Sequence, residues 1–185
     1  MPNPPTAPPL ILTLLLDAAA TRWFDALRTA HFPPERLLVG AHVTLFHALP
    51  GEAEREIVAA VAERAANTAP FAVAVQGLRS LGRGVAFALA SEDAQCLRAR
   101  LAARFASRLT PQDRARWRPH VTVQNKVAPD TARRTLAAVA ALPPPASIRA
   151  EAIAVWRYCG GPWQPVAELR FAPQPCATTE HPYDS

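Results

Sequence analysis

Lysine is almost absent from this sequence: Lys126 is the only one, and every other basic residue is an arginine or a histidine. Cysteine, methionine and tyrosine are also scarce, at three, one and two residues in 185. The three cysteines, Cys96, Cys159 and Cys176, are odd in number and have no C-x-x-C or zinc-like spacing. That argues against a disulfide framework and a structural metal, and it fits a reducing compartment, the cytoplasm. No apolar run reaches the roughly 18 residues a membrane span needs. The opening LILTLLLDAAA is short, has no Lys or Arg before it and is broken by Asp17. It reads as a buried first strand and not as a signal peptide. The phosphate-binding pattern G-x-x-x-x-G-K-[ST] is missing too, so nothing of that kind is present to drive an ATP-dependent reaction.

Half of the residues are apolar, enough for a sizeable core in one domain or two small lobes. The 20 prolines collect in MPNPPTAPP, in ALPPPA and in the tail from Pro173, where they punctuate packed elements. The expected organisation is a flexible arm over 1–9, a single two-lobed domain over 10–172 and a loose tail over 173–185. A net charge of +5 favours an anionic partner such as RNA or a nucleotide, although a general preference for arginine would give the same charge without a tuned patch. No membrane partner is indicated, and a monomer is expected.

Hydrophobic spacing alternates between the two backbone periods. Leu10–Leu16 reads as a strand, and TRWFDALRTAHF sets Trp23, Leu27 and His31 on one helix face. LLVGAHVTLF returns to strand character, a helix follows with Ile57, Val58, Val61 and Ala65 on one side, and FAVAVQGL is again a strand. The order then repeats: GVAFALA, a helix carrying Leu97, Leu101 and Phe105, the strand RPHVTVQ, a helix over Pro129–Leu142 with Leu136 and Val139 inward, and strands at Ile148–Tyr158 and Val166–Phe171. One offset carries His42 onto His120, Glu52 onto Asp130, Val58 onto Leu136, Val61 onto Val139 and Val75 onto Ile153. Two copies of so long a unit describe duplicated lobes related by a pseudo-two-fold axis, with lobes over about 10–80 and 83–172, and not a stacked solenoid.

The same offset superimposes two copies of one string, HVTL from His42 and HVTV from His120. With five histidines in the chain, chance supplies less than one His-x-Thr triplet. Alternate side chains of a strand share a face, so His42 lies beside Thr44 and His120 beside Thr122. An imidazole titrates near neutrality and serves as general acid or base, and a hydroxyl can donate to a phosphoryl oxygen that gains charge. Two such pairs across a cleft suit in-line phosphoryl transfer: one histidine deprotonates the attacking group, the other protonates the leaving oxygen, and the threonines hold the phosphate. No cofactor is required, and one ligand per motif without a Cys/His cluster leaves no metal site.

Two H-x-T-x strings, one in each half of a duplicated α+β chain, resemble the two-histidine phosphoesterase superfamily, which includes 2′-5′ RNA ligase-like proteins and RNA 2′,3′-cyclic phosphodiesterases. The similarity spans about Leu10 to Phe171. It implies an α+β fold of two pseudo-symmetric lobes, mainly antiparallel sheets lining a central cleft with helices outside. It implies His42 and His120 as the acid/base pair and Thr44 and Thr122 as phosphate binders. The implied reaction opens a 2′,3′-cyclic phosphate of an RNA end or nucleotide to a 2′-phosphate, with 2′-5′ ligation as its formal reverse. The alternative from another class is a non-catalytic RNA- or nucleotide-binding module, to which two matched acid/base groups would be superfluous.

Other residues carry two readings each. Arg118 lies two before His120, on its face, where a guanidinium meets phosphate bidentately or ends a strand in solvent. Gln124 and Lys126 share that parity, and Lys126 is a second candidate for the phosphate. Trp156 and Tyr158, in WRYCGGPW, are candidates for stacking a base, or they pack the Gly-Gly turn. His47, five past His42, is expected on the opposite face of a regular strand, as a loop or surface residue. His31 and His181 are expected on a helix face and in the tail. Arg83, between glycines, is expected to solvate a hairpin, and the Arg98–Arg108 helix to present a solvated face or an RNA groove.

Overall fold

In the computed structural model, which describes residues 7–145 and 147–172, strand β1 (Leu10–Leu16) is buried along almost its whole length. It lies between two antiparallel partners, β2 (Val43–Leu49) and β6 (Ser147–Arg157), which explains an apolar run without polar alternation. Strands β3 (Phe71–Ser80), β4 (Val85–Ala90) and β5 (His120–Gln124) extend the sheet to the order β2-β1-β6-β3-β4-β5, and β7 (Gln164–Arg170) pairs with β6. All pairings are antiparallel. Residues 1–6 of the N-terminal arm, together with Cys176, His181 and the tail from 173, lie outside the described residues.

β6 joins the two ends of the sheet. Its first residues pair with β3, from Ser147↔Ala74 to Ala150↔Phe71, and the rest runs between β1 and β7. The terminal strands β2 and β5 come back toward each other. The sheet is therefore curled, and its two edges, each carrying a His-x-Thr string, face across a cleft.

Helices α1 (Ala18–His31), α2 (Glu54–Ala66), α3 (Glu92–Arg104) and α5 (Pro129–Ala140) cover the outer face, while α4 (Pro111–Arg114) is a single turn. Their starts follow from capping chemistry: the side chains of Asp17, Ser91 and Thr110 accept from Ala20, Ala94 and Asp113 N–H, and Pro111 and Pro129 occupy the first turns of α4 and α5. The packing is exchanged between halves. Trp23 and Phe24 of α1 meet Phe87 of β4 edge-on, at 5.2 and 5.6 Å between ring centroids. Phe105, at the end of α3, meets Phe46 of β2 at 6.3 Å. Each half's first helix thus lies over the other half's strands. Between β3 and β4, Gly84 is required by close approach, since a Cβ there would sit 2.1 Å from the Gln124 carbonyl oxygen. Beside it Arg83, exposed as expected, also donates from Nε to the Val127 carbonyl at 3.2 Å.

The stretch Leu37–His42, which reads as strand in the sequence, is a loop after a 3-10 turn at Pro34–Arg36, and β2 begins at Val43. Its backbone is held by side chains of α1 and not by a ladder. Arg28 Nη2 donates to the Val39 carbonyl, and Ala41 N–H donates to Asp25 Oδ1, each at 2.6 Å.

Candidate active site

That loop delivers His42 to the edge of the cleft. Its ring Nδ1 lies 2.7 Å from the Gly40 carbonyl oxygen, and His120 Nδ1 lies 2.9 Å from the Arg118 carbonyl oxygen. Both contacts reach back two residues, so the two histidines are held in the same way. A carbonyl can only accept, so each Nδ1 carries a proton, and each Nε2 is left bare in the neutral ring.

Directly paired residues of neighbouring strands share a face. Thr44 pairs with Thr13, Thr122 with Ala86, and His120 with Ala88. The row through His120 continues from Ala88 to Gly77, and the row through Thr122 continues from Ala86 to Arg79. Glycine and alanines beside the motifs leave the floor of the cleft low. Neither the Thr44 nor the Thr122 hydroxyl has a hydrogen-bond partner among the described residues, and both side chains are half-buried.

Immediately after each threonine the register slips. Thr44 faces Thr13 but Phe46 faces Leu12, and Thr122 faces Ala86 but Gln124 faces Val85. Two residues on one strand against one on the other is a β-bulge, here at Leu45 and Val123, the last position of each H-x-T-x string. The bulge turns the next side chain inward. Gln124, expected on the cleft face by strand parity, is instead buried, and its Nε2 donates to the His31 carbonyl at 3.0 Å and to Thr135 Oγ1 at 2.8 Å.

His47 is exposed, as expected of a surface histidine, but its ring is tied down. Asp113, fully buried, accepts from His47 N–H at 2.8 Å, His47 Nδ1 at 3.0 Å and Ala48 N–H at 3.1 Å. Burial alone would raise the Asp113 pKa, but the hydrogen bonds from His47 and Ala48 outweigh it and hold the carboxyl below the usual range. A buried carboxylate here anchors β2 to α4.

Desolvation lowers the His42 pKa to about 4; the Gly40 carbonyl opposes this, and the charges of Arg28, His120 and His47 add to it. Coupling to His120 means that the two rings sense each other across the cleft. The Trp163 ring lies against His42, with centroids 5.0 Å apart.

A cavity of about 530 Å³ opens from His42, lined by Arg28, Phe32, Thr122, Lys126, Tyr158 and Trp163 among others. Two of the candidates read from sequence, Lys126 and Tyr158, therefore reach the same space as His42 and Thr122. Lys126 stands in the left-handed backbone region, at φ 60, a strained conformation for a residue with a side chain. Trp156 does not line this cavity: its indole N–H donates to Thr13 Oγ1 at 2.9 Å, and its ring packs against Trp163. The exposed Arg118 lines a neighbouring cavity of about 650 Å³ with Pro119 and Ala88, beside His120. Among the described residues no group of three His, Cys, Asp or Glu side chains is placed to hold a metal ion, and no helix is long and apolar enough to cross a membrane.

Two participants are not among the residues singled out from the sequence. Arg28 is buried, with Nη1 on the Thr122 carbonyl at 2.6 Å, Nη2 on Val39 and its guanidinium 4.9 Å over Phe32. An arginine in register with Phe24 and Leu27 on an apolar helix face is the signal for it. Trp163 lies in the same WRYCGGPW segment as Trp156, and only the fold of the turn distinguishes them.

A curled antiparallel sheet that turns two His-x-Thr strands toward one cleft defines the class of two-histidine phosphoesterase folds. The family model of the 2′-5′ RNA ligase superfamily matches residues 16–162, and the chain belongs to that superfamily. Among solved structures, it is similar to E. coli LigT complexed with 3′-AMP, at 19% identity and a TM-score of 0.59, over 89% of this chain and 98% of that one. It is also similar to TT0787 of Thermus thermophilus, at 18% identity and a TM-score of 0.64, over 90% and 99%. None of the curated proteins compared matches the sequence.

Proposed function

We propose that this protein is a metal-independent phosphoesterase that opens 2′,3′-cyclic phosphates of RNA ends or nucleotides to 2′-phosphates. The observation that carries this reading is the matched anchoring of His42 and His120 through Nδ1 to the carbonyls of Gly40 and Arg118, which leaves Nε2 of each ring free for proton transfer. A pKa near 4 keeps His42 neutral at physiological pH, so it takes the role of base. His42 Nε2 accepts a proton from water as the water oxygen bonds to phosphorus. The bond from phosphorus to O3′ breaks, and His120, as the general acid, delivers an Nε2 proton to that oxygen. The Thr44 and Thr122 hydroxyls donate to the non-bridging oxygens, where charge grows, and Lys126 and Arg118 add positive charge at the two ends of the cleft. Tyr158 and Trp163 offer aromatic faces to a base. The E. coli LigT fold has been solved with 3′-AMP, phosphate, ATP and NADP+, which fits a nucleotide-class ligand for this cleft.

The test is turnover of 2′,3′-cyclic AMP by purified protein in EDTA, with 2′- and 3′-phosphate products resolved. A 2′-phosphate made by the wild type and reduced about 10²–10⁴-fold in both His42→Ala and His120→Ala is the expected result, the range that general acid–base groups contribute. Bound but unreacted nucleotide would make the cleft a phosphate-binding module. Metal-dependent turnover would overturn the mechanism.

A further inference from the structure

The cavity beside His120 is lined by four arginines, Arg79, Arg98, Arg116 and Arg118, and by no carboxylate. Arg98 is committed, with Nε on the Leu45 carbonyl at 3.0 Å and Nη2 on the Asp113 carbonyl at 2.5 Å. The other three have no hydrogen bond or ion pair among the described residues, whereas Arg108, Arg157 and Arg170 elsewhere each meet a carboxylate. Three unpaired guanidinium groups around one depression repel one another. Their mutual repulsion is relieved where an anion fills the depression or water screens it.

The cavity also adjoins the site through the strand pairing. Ala88, in its wall, pairs with His120, and Arg79 stands in the row that runs through Ala86 to Thr122. Beyond Ala88 that floor ends at Gly77, where an added Cβ would meet nothing within 4 Å. A chain bound with its terminal phosphate between the histidines therefore has an open, basic trough leading away from His120. Its volume, about 650 Å³, is within the range of pockets that bury a small organic ligand.

We infer that Arg79 and Arg116 form a second anion subsite that takes the internucleotide phosphates of a single-stranded oligoribonucleotide, so that the cleft favours a polymer end over a free mononucleotide. This rests on the cyclic-phosphate reading of the site. Without that reading the trough remains a polyanion-binding surface, and the experiment separates the two.

The experiment compares wild type, R79A, R116A and the double variant in two assays. The first measures kcat/KM for 2′,3′-cyclic AMP and for an RNA octamer ending in a 2′,3′-cyclic phosphate. The second measures anisotropy of a fluorescein-labelled RNA octamer ending in a 2′-phosphate, over a series of salt concentrations. The expected result is an octamer kcat/KM and affinity about tenfold or more lower in the double variant. Mononucleotide turnover stays within about twofold, and the salt slope becomes shallower by about 1 to 1.5, for two lost contacts on a single strand. Octamer binding unchanged in the double variant, or mononucleotide turnover falling as far as octamer turnover, overturns the subsite. If the wild type turns over neither substrate yet the double variant loses octamer binding, the cyclic-phosphate reading has failed and the subsite stands.

Discussion

Arg28 and Arg98, at different positions along the first helix of each half, both send their guanidinium onto the motif strand of the other half. Arg28 Nη1 donates to the Thr122 carbonyl at 2.6 Å, and Arg98 Nε donates to the Leu45 carbonyl at 3.0 Å. Burial lowers the pKa of both, opposed by Asp25 and Asp113 respectively. The facing of the two His-x-Thr strings thus depends on two charged clips that hold the sheet edges at a fixed separation.

Removing one clip therefore affects both folding and chemistry. Arg28→Met leaves the Val39 and Thr122 carbonyls without their donor and is expected to cost about 2–4 kcal/mol, since hydrogen bonds to charged groups contribute about 1.5–3 each and do not add fully. Arg28→Lys restores little of this, because one ammonium does not reproduce the planar fork. Urea denaturation gives the stability, and kcat on a cyclic phosphate should fall with it as the loop carrying His42 loosens.

With His42 as the proposed base, its pKa near 4 places the acid limb of the rate profile there. For wild type, kcat/KM is expected to hold from neutrality down to about pH 4 on that limb, and not to fall through the ordinary histidine range. The linked stability has the same sign. Between about 6.5 and 4 the unfolded chain binds a proton at His42 that the native state does not, so native stability falls as pH falls through that window, by up to about 3 kcal/mol. His42→Gln removes the titrating group, and thermal melts at pH 7 and 4.5 should show a smaller loss for the variant than for wild type.

Trp163 is the side chain that keeps water from one side of that imidazole. Trp163→Ala is expected to raise the His42 pKa toward 6.5, because desolvation is its main cause. It should also raise KM for a nucleotide about 5- to 100-fold if the ring stacks a base, at about 1–3 kcal/mol per stacked base. An NMR titration of the His42 ring and steady-state kinetics read the two effects separately.

Asp113 gives a pH signature that lies lower than that of His42. Its carboxyl is held below the ordinary range, so it adds stability above the unfolded aspartate value near 3.9 that is lost as pH falls through the lower native value. Asp113→Asn should destabilise the protein by roughly 2–4 kcal/mol at pH 7. Its acid unfolding should be less steep than that of wild type, as followed by circular dichroism.

Much of this arrangement was legible in the amino-acid order. The apolar run Leu10–Leu16, the helix faces through Leu97 and Leu101, and the offset linking His42 to His120 are local periodicities, and the strands and helices follow them closely. Two kinds of information were not local. Strand parity holds only while the ladder is regular, and the bulges at Leu45 and Val123 broke it one residue after each threonine, sending Gln124 into the core. A buried helix face says that α1 is covered but not by which strands. Nothing before the fold distinguished an Arg28 clipped to Thr122 in the other half from an arginine snorkelling to solvent.

The long strand β6 has a consequence for how such a chain comes into being. Residues Ser147–Arg157 close the sheet by pairing with β1 near one end of the chain and β3 near its middle. That strand leaves a ribosome after β1 to β5, so both halves must wait for it before the sheet closes. The same interleaving leaves each half dependent on the other, since its first helix and its last strand both find their partners across the divide.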